Sequence, residues 1–76
     1  MSCEKLEEML NVYNEVKFRL YNVEYIIRKD NNKVELYPTL YSNQKKIYAN
    51  FDDAMNNFQI YNEPIKESIN KFIILN

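Results

Sequence analysis

The sequence predicts a small α+β domain: an N-terminal helix, an antiparallel meander of three to four strands, and two short C-terminal helices. Three observations carry this. Apolar residues recur at spacings of three and four near the N-terminus, alternate with polar residues through the middle of the chain, and return to helical spacing after Asn50. At 76 residues the chain makes one domain, spanning 1–76. A hydrophobic fraction of 46% is enough to support a packed core and argues against disorder.

The first helix is expected from Ser2 or Cys3 to Val16. Leu6, Met9, Leu10, Tyr13 and Val16 form one apolar stripe, while Glu7, Glu8, Asn11 and Glu15 fall on the other side. Ser2 suits the N-cap, where a hydroxyl oxygen can accept from an unpaired backbone N–H. Strands are expected over Phe18–Tyr21, Val23–Lys29 and Lys33–Leu40. In the second of these Val23, Tyr25 and Ile27 alternate with Glu24, Ile26 and Arg28; in the third Val34, Leu36 and Leu40 alternate with Glu35, Tyr37 and Thr39. The "KDNNK" segment reads as a hairpin turn, and a tighter turn is expected at Asn22. Pro38 has no N–H to give a ladder, so its strand is expected to lie at an edge or to bulge there. Lys46–Ala49 is a short fourth strand.

Asn50 then caps a helix, with Asp52 and Asp53 at its positive end. Phe51, Ala54, Met55 and Phe58 are its apolar stripe. Asn62 is expected to cap a last helix with Pro64 in the first turn, and with Ile65, Ile69, Phe72 and Ile73 facing inward. The terminal "FIIL" is also rich in strand formers, so a closing strand competes with helix there.

The chain contains no glycine. Positions that need positive φ must therefore fall to the next most tolerant residue, asparagine. Of the 12 asparagines, Asn22, Asn31, Asn32, Asn43, Asn57 and Asn62 lie where turns or helix ends are expected. Phe, Tyr, Met, Ile, Asn and Lys together make 42 of the 76 residues, whereas Gly, Ala, Arg and Pro make 6. That bias is the mark of A/T-rich codons, and it points to a low-GC bacterium or one of its phages or mobile elements. The stretch "YANFDDAMNNFQIYNEPIKESI" (residues 48–69) resembles the strand–helix–turn–helix ending of short proteins from such bacteria and elements. The resemblance implies no activity and no site residues.

The residue inventory narrows the chemistry. Without histidine the usual base near neutral pH is missing, and no serine– or cysteine–histidine arrangement can form within the chain. Without glycine there is no glycine-rich phosphate loop. Cys3 with carboxylates alone is a poor zinc set, and Asp52 and Asp53 are better explained by helix capping than by a hard cation. No enzyme, cofactor or metal is expected. The single cysteine cannot make an internal disulfide, which suits a reducing cytoplasm. The N-terminus lacks the basic start and apolar core of a signal peptide, and no apolar run is long enough to span a membrane. Ten basic and 11 acidic residues, net −1, give no broad pull toward nucleic acid or anionic lipid.

What is left is a binding surface. If Val23, Tyr25, Ile27, Val34, Leu36 and Leu40 face the helices, the opposite sheet face carries Ile26, Arg28, Tyr37 and Tyr41, with Lys45, Lys46 and Tyr48 close by in sequence. Tyrosine and arginine bring large contact area with a polar tip. The expected role is a cytoplasmic protein-interaction module that binds and regulates or inhibits another protein, with Arg28, Tyr37, Tyr41 and Tyr48 as the protein-binding residues. Two alternatives stay open. The same rings and cations suit single-stranded nucleic acid. An exposed strand edge or the first helix suits a homodimer. The tyrosine-bearing surface is lost if helices cover both sheet faces.

Overall fold

The computed structural model describes residues 1–75. Helix α1 (Cys3–Tyr13) begins where Ser2 Oγ accepts from Lys5 N–H at 3.1 Å. It ends three residues before the expected Val16, because Asn14 turns left-handed (φ 63°) and its N–H closes onto Leu10 O at 2.8 Å. Leu6 and Leu10 are buried and Met9 packs beside them. Tyr13, at the unwinding end, is exposed, and Val16 already belongs to the sheet.

Strands β1 (Glu15–Leu20), β2 (Val23–Asp30), β3 (Lys33–Pro38) and β4 (Lys46–Tyr48) form the antiparallel meander. Tyr25 and Ile27, then Val34 and Leu36, face inward as the alternation predicts, joined by Val16, Phe18 and Leu20 of β1; Val23, beside the turn that opens β2, and Leu40, beyond the end of β3, are exposed instead. A single 3₁₀ turn, Ser42–Gln44, separates β3 from β4. Pro38 pairs with Tyr25 on one side only, because β4 reaches no further along β3 than Leu36. β3 is neither the edge strand nor the bulged strand that its proline predicts; the missing N–H is tolerated because β3 has no second neighbour at that position.

The chain then forms α2 (Phe51–Asn57). Asn50 Oδ1 accepts from Asp53 N–H at 2.8 Å, and Asp53 Oδ2 accepts from Ala49 N–H at 2.9 Å, so two orphan donors are satisfied reciprocally. The C-terminal region differs from the sequence-based expectation. Asn62 caps no helix: with Tyr61 it makes the turn of a small hairpin, β5 (Gln59–Ile60) and β6 (Glu63–Pro64). The helix that follows, Ile65–Lys71, is 3₁₀, and Pro64 precedes it. "FIIL" resolves in favour of a strand, β7 (Ile73–Ile74), which pairs antiparallel with β1. Ile73 therefore faces outward beside Arg19, and only Ile74 and Phe72 turn in. The expected three to four strands become five, in the order β4-β3-β2-β1-β7.

Three two-residue hairpin turns, Tyr21–Asn22, Asn31–Asn32 and Tyr61–Asn62, hold both residues at positive φ. That is the geometry whose twist matches a hairpin, and it is normally supplied by glycine. Asparagine fills it here, together with two tyrosines. Asn43 and Asn57 are not left-handed.

The buried hydrophobic residues form one cluster, drawn from α1, α2, the Ile65–Lys71 3₁₀ helix and a single side of the sheet. Phe18 is its centre, fully buried, with its ring stacked 4.1 Å from Phe72 and 5.5 Å from Tyr25. The domain has two layers, helices on one sheet face. Among the described residues no helix covers the other face.

Candidate functional site

Strand alternation decides what the helix-free face carries, and register decides how it is arranged. One row crosses the sheet as Ile73, Arg19 and Glu24; the next as Lys17, Ile26 and Tyr37; the third as Glu15, Arg28, Glu35 and Ile47. Ile26 and Tyr37 are half-buried by their neighbours at the centre. Ile47 and Ile73 are about 60% exposed at the two edges. Around them stand Lys17, Arg19, Arg28 and Lys45 against Glu15, Glu24 and Glu35.

Glu35 is the anchor of this face. It is 8% exposed, and its Oε1 lies 3.3 Å from Arg28 Nε and 3.5 Å from Lys45 Nζ. Neither approach has hydrogen-bond geometry, so Oε1 is a buried acceptor without a donor among the described residues. Lys45 Nζ also sits 5.1 Å from the centre of the Tyr37 ring, a cation–π contact that fixes the ring beside the carboxylate. Thr39 Oγ1 donates to Glu24 Oε2 at 3.0 Å at the far end.

Two of the four residues expected to bind a partner, Arg28 and Tyr37, stand together on this face. Tyr41 does not lie on a strand. It flanks the 3₁₀ turn, is 54% exposed, and with Leu40 borders a cleft of about 440 Å³ whose other wall includes Arg19 and Glu24. Tyr41 therefore extends the face at one corner. Tyr48 is on the opposite side: it pairs with Val34, a core-facing residue, and its ring meets Phe58 edge-on at 6.5 Å. The alternation through Lys46, Ile47 and Tyr48 puts Ile47 on the open face instead. The sequence does not point to Ile47, and it places Ile73 on an inward helix face, since both lie in strands of two or three residues whose register no pattern that short can fix.

A second concavity, of about 890 Å³, lies on the helix-bearing side, between the β5–β6 hairpin and the 3₁₀ turn. Tyr25, Tyr48, Phe58 and Tyr61 line it. Burial pushes the Tyr25 and Tyr48 phenols up, with smaller contributions from Tyr61 and Asp53 respectively. At its rim the Tyr21 phenol is held below its ordinary value by its hydrogen bonds with Ser68 Oγ (3.2 Å) and Lys71 Nζ (3.3 Å). Burial raises the Cys3 thiol, opposed by Lys66, which is the setting of an unreactive thiol.

Among the described residues no group of three or more cysteine, aspartate and glutamate side chains is placed to hold a metal ion. No helix among them is long and apolar enough to cross a membrane. Comparison with protein-family models, with curated proteins and with solved structures finds no match to this chain.

Proposed function

We propose that this protein is a small interaction module that binds another protein through the helix-free sheet face and so regulates or inhibits it. The reading places it in the cytoplasm of a low-GC bacterium, with a phage or mobile element as the source of the gene, and assigns it no catalytic activity. One observation supports it above others: an apolar centre, Ile26 and Tyr37, ringed by charges of both signs and flanked by two exposed isoleucines. A dry centre with a polar rim is the anatomy of protein–protein interfaces. Tyr37 and Arg28 are the residue types that dominate binding energy in them. The binding residues are Arg28, Tyr37 and Tyr41, joined by Ile47 and Ile73. Tyr48 is assigned to the other side of the sheet.

The second reading is single-stranded nucleic acid on the same face, favoured by the approach of Lys45 to Tyr37. The three interleaved carboxylates weigh against it, because phosphate binding needs a field of one sign. Replacing Tyr37 and Tyr41 with alanine separates the outcomes. The variant keeps its thermal melt and no longer retains the partner that the native protein retains. A melt that collapses would return both rings to the core. Binding of short oligonucleotides that weakens steeply with salt would transfer the face to the nucleic-acid reading.

A further inference from the structure

We infer that the groove on the helix-bearing side is a nucleotide site, in which a planar base lies against tyrosine rings and a phosphate meets Lys46. It lies across the sheet from the proposed protein-binding face and does not depend on it.

The volume, about 890 Å³, falls within the range of small-ligand sites. Its walls are chemically uneven. Tyr25 and Phe58 make an apolar floor, their rings edge-to-face at 6.1 Å. Tyr21 and Tyr61 stand at the mouth, 5.1 Å apart and tilted by 57°. Tyr61 is 77% exposed and sits at φ 53°, a conformation unfavourable for a bulky L-residue. The hairpin therefore holds a large ring out in solvent at some conformational cost. Such a ring is a ready stacking platform, since every base has a π-face.

The polar groups are unspent. The hydroxyls of Tyr25 and Tyr48 reach solvent at the groove and bond no described residue, so both can turn to a ligand. Asn43, Gln44 and Gln59 add side-chain amides that both donate and accept, as the edge of a base requires. Lys46 is the one charged residue among the lining side chains. No carboxylate is among the lining residues. Asp53, behind Tyr48, accepts from Ala49 N–H and from Asn57 Nδ2. Glu63 lies toward Tyr21, where Lys71 offsets it. A ring with donors and acceptors at its edge and a single anionic group matches this lining. The group is either a free nucleotide or one unpaired nucleotide of a strand.

The test is a two-dimensional NMR titration of the intact protein with adenosine 5′-monophosphate, adenosine, ribose 5-phosphate and a short oligoadenylate. The expected result is saturable shifts at Tyr25, Lys46, Tyr48 and Tyr61, about tenfold tighter for the monophosphate than for adenosine, as one charged hydrogen bond gives. Lys46→Gln closes that gap. Tyr61→Asn, which keeps the turn with the residue used at Asn31, weakens both ligands about tenfold. Oligoadenylate binding tighter than the monophosphate assigns the strand as the source; equal affinity assigns the free nucleotide. The inference is overturned by absence of saturable binding, by ribose 5-phosphate binding as well as the monophosphate, by shifts confined to Lys17, Ile26 and Tyr37, or by Lys46→Gln variants that fold and keep the gap.

Discussion

Replacing Asn32 with alanine tests how a chain without glycine builds hairpins. Asn32 sits at φ 71° beside Asn31 at 50°, in the turn that sets Asp30 opposite Lys33 and so the register of the central strand pair. A left-handed conformation costs an ordinary L-residue roughly 1–2 kcal/mol, and asparagine recovers part of this through local hydrogen bonding. Loss of that recovery amounts to about 1 kcal/mol. For a domain of this size it lowers Tm by about 4–8 °C. Asn43, in the 3₁₀ turn, has no positive φ to support, so Asn43→Ala stays within about 0.5 kcal/mol of the native protein. Asn32→Gly, which meets the same φ without strain, stays at least as stable as the native protein. Thermal and urea unfolding followed by circular dichroism measure all three. If Asn32→Ala and Asn43→Ala melt together, asparagine is not what holds these turns.

Two further outcomes follow from the core and the phenols. Phe18→Ala removes a fully buried ring stacked between Phe72 and Tyr25. Its cost, roughly 3–5 kcal/mol, is a large share of the total available to so short a chain, about 0.05–0.15 kcal/mol per residue. Urea titration should show a largely unfolded population in water or a midpoint close to it. The tyrosines titrate in opposite senses. Tyr21 is lowered in the fold, so on alkalinisation the native state loses this proton before the unfolded chain does, and its ionisation favours folding. Tyr25 and Tyr48 are raised, so their contribution is full below the unfolded value near 10 and is lost as pH rises past it. An absorbance titration should lose its earliest step in Tyr21→Phe, and alkaline unfolding should shift to higher pH in Tyr25→Phe.

Long, strongly patterned elements were legible from residues alone. Leu6 and Leu10 at helical spacing, and Tyr25, Ile27, Val34 and Leu36 at strand spacing, identify their elements because each repeat buries one face. Asn22, Asn31, Asn32 and Asn62 stand at positive φ where the lack of glycine requires it, because only a few residue types tolerate that conformation. Asn14, which ends α1 early, and the tyrosines at φ 50° and 53° were not legible, since nothing in their surroundings in sequence announces a left-handed backbone. The short elements were less legible. Two-residue strands have no periodicity to read, so Asn62 looked like a helix cap and Ile73 like an inward residue. The same limit governed the site. Arg28 and Tyr37 lie in long strands and were placed on their face by alternation. Tyr48 and Ile47 lie in a three-residue strand, where the choice of face depends on a register that long-range pairing sets.

On the proposed function, a partner binds the sheet face that no helix covers. The most direct test is site-specific photocross-linking in cells that express the protein, with the photoreactive residue placed in turn at Tyr37, at Ile73 and at Glu8 on the exposed side of α1. Tyr37 and Ile73 should give one shared adduct and Glu8 none. An adduct from Glu8 alone, or none from either sheet-face position, would contradict it.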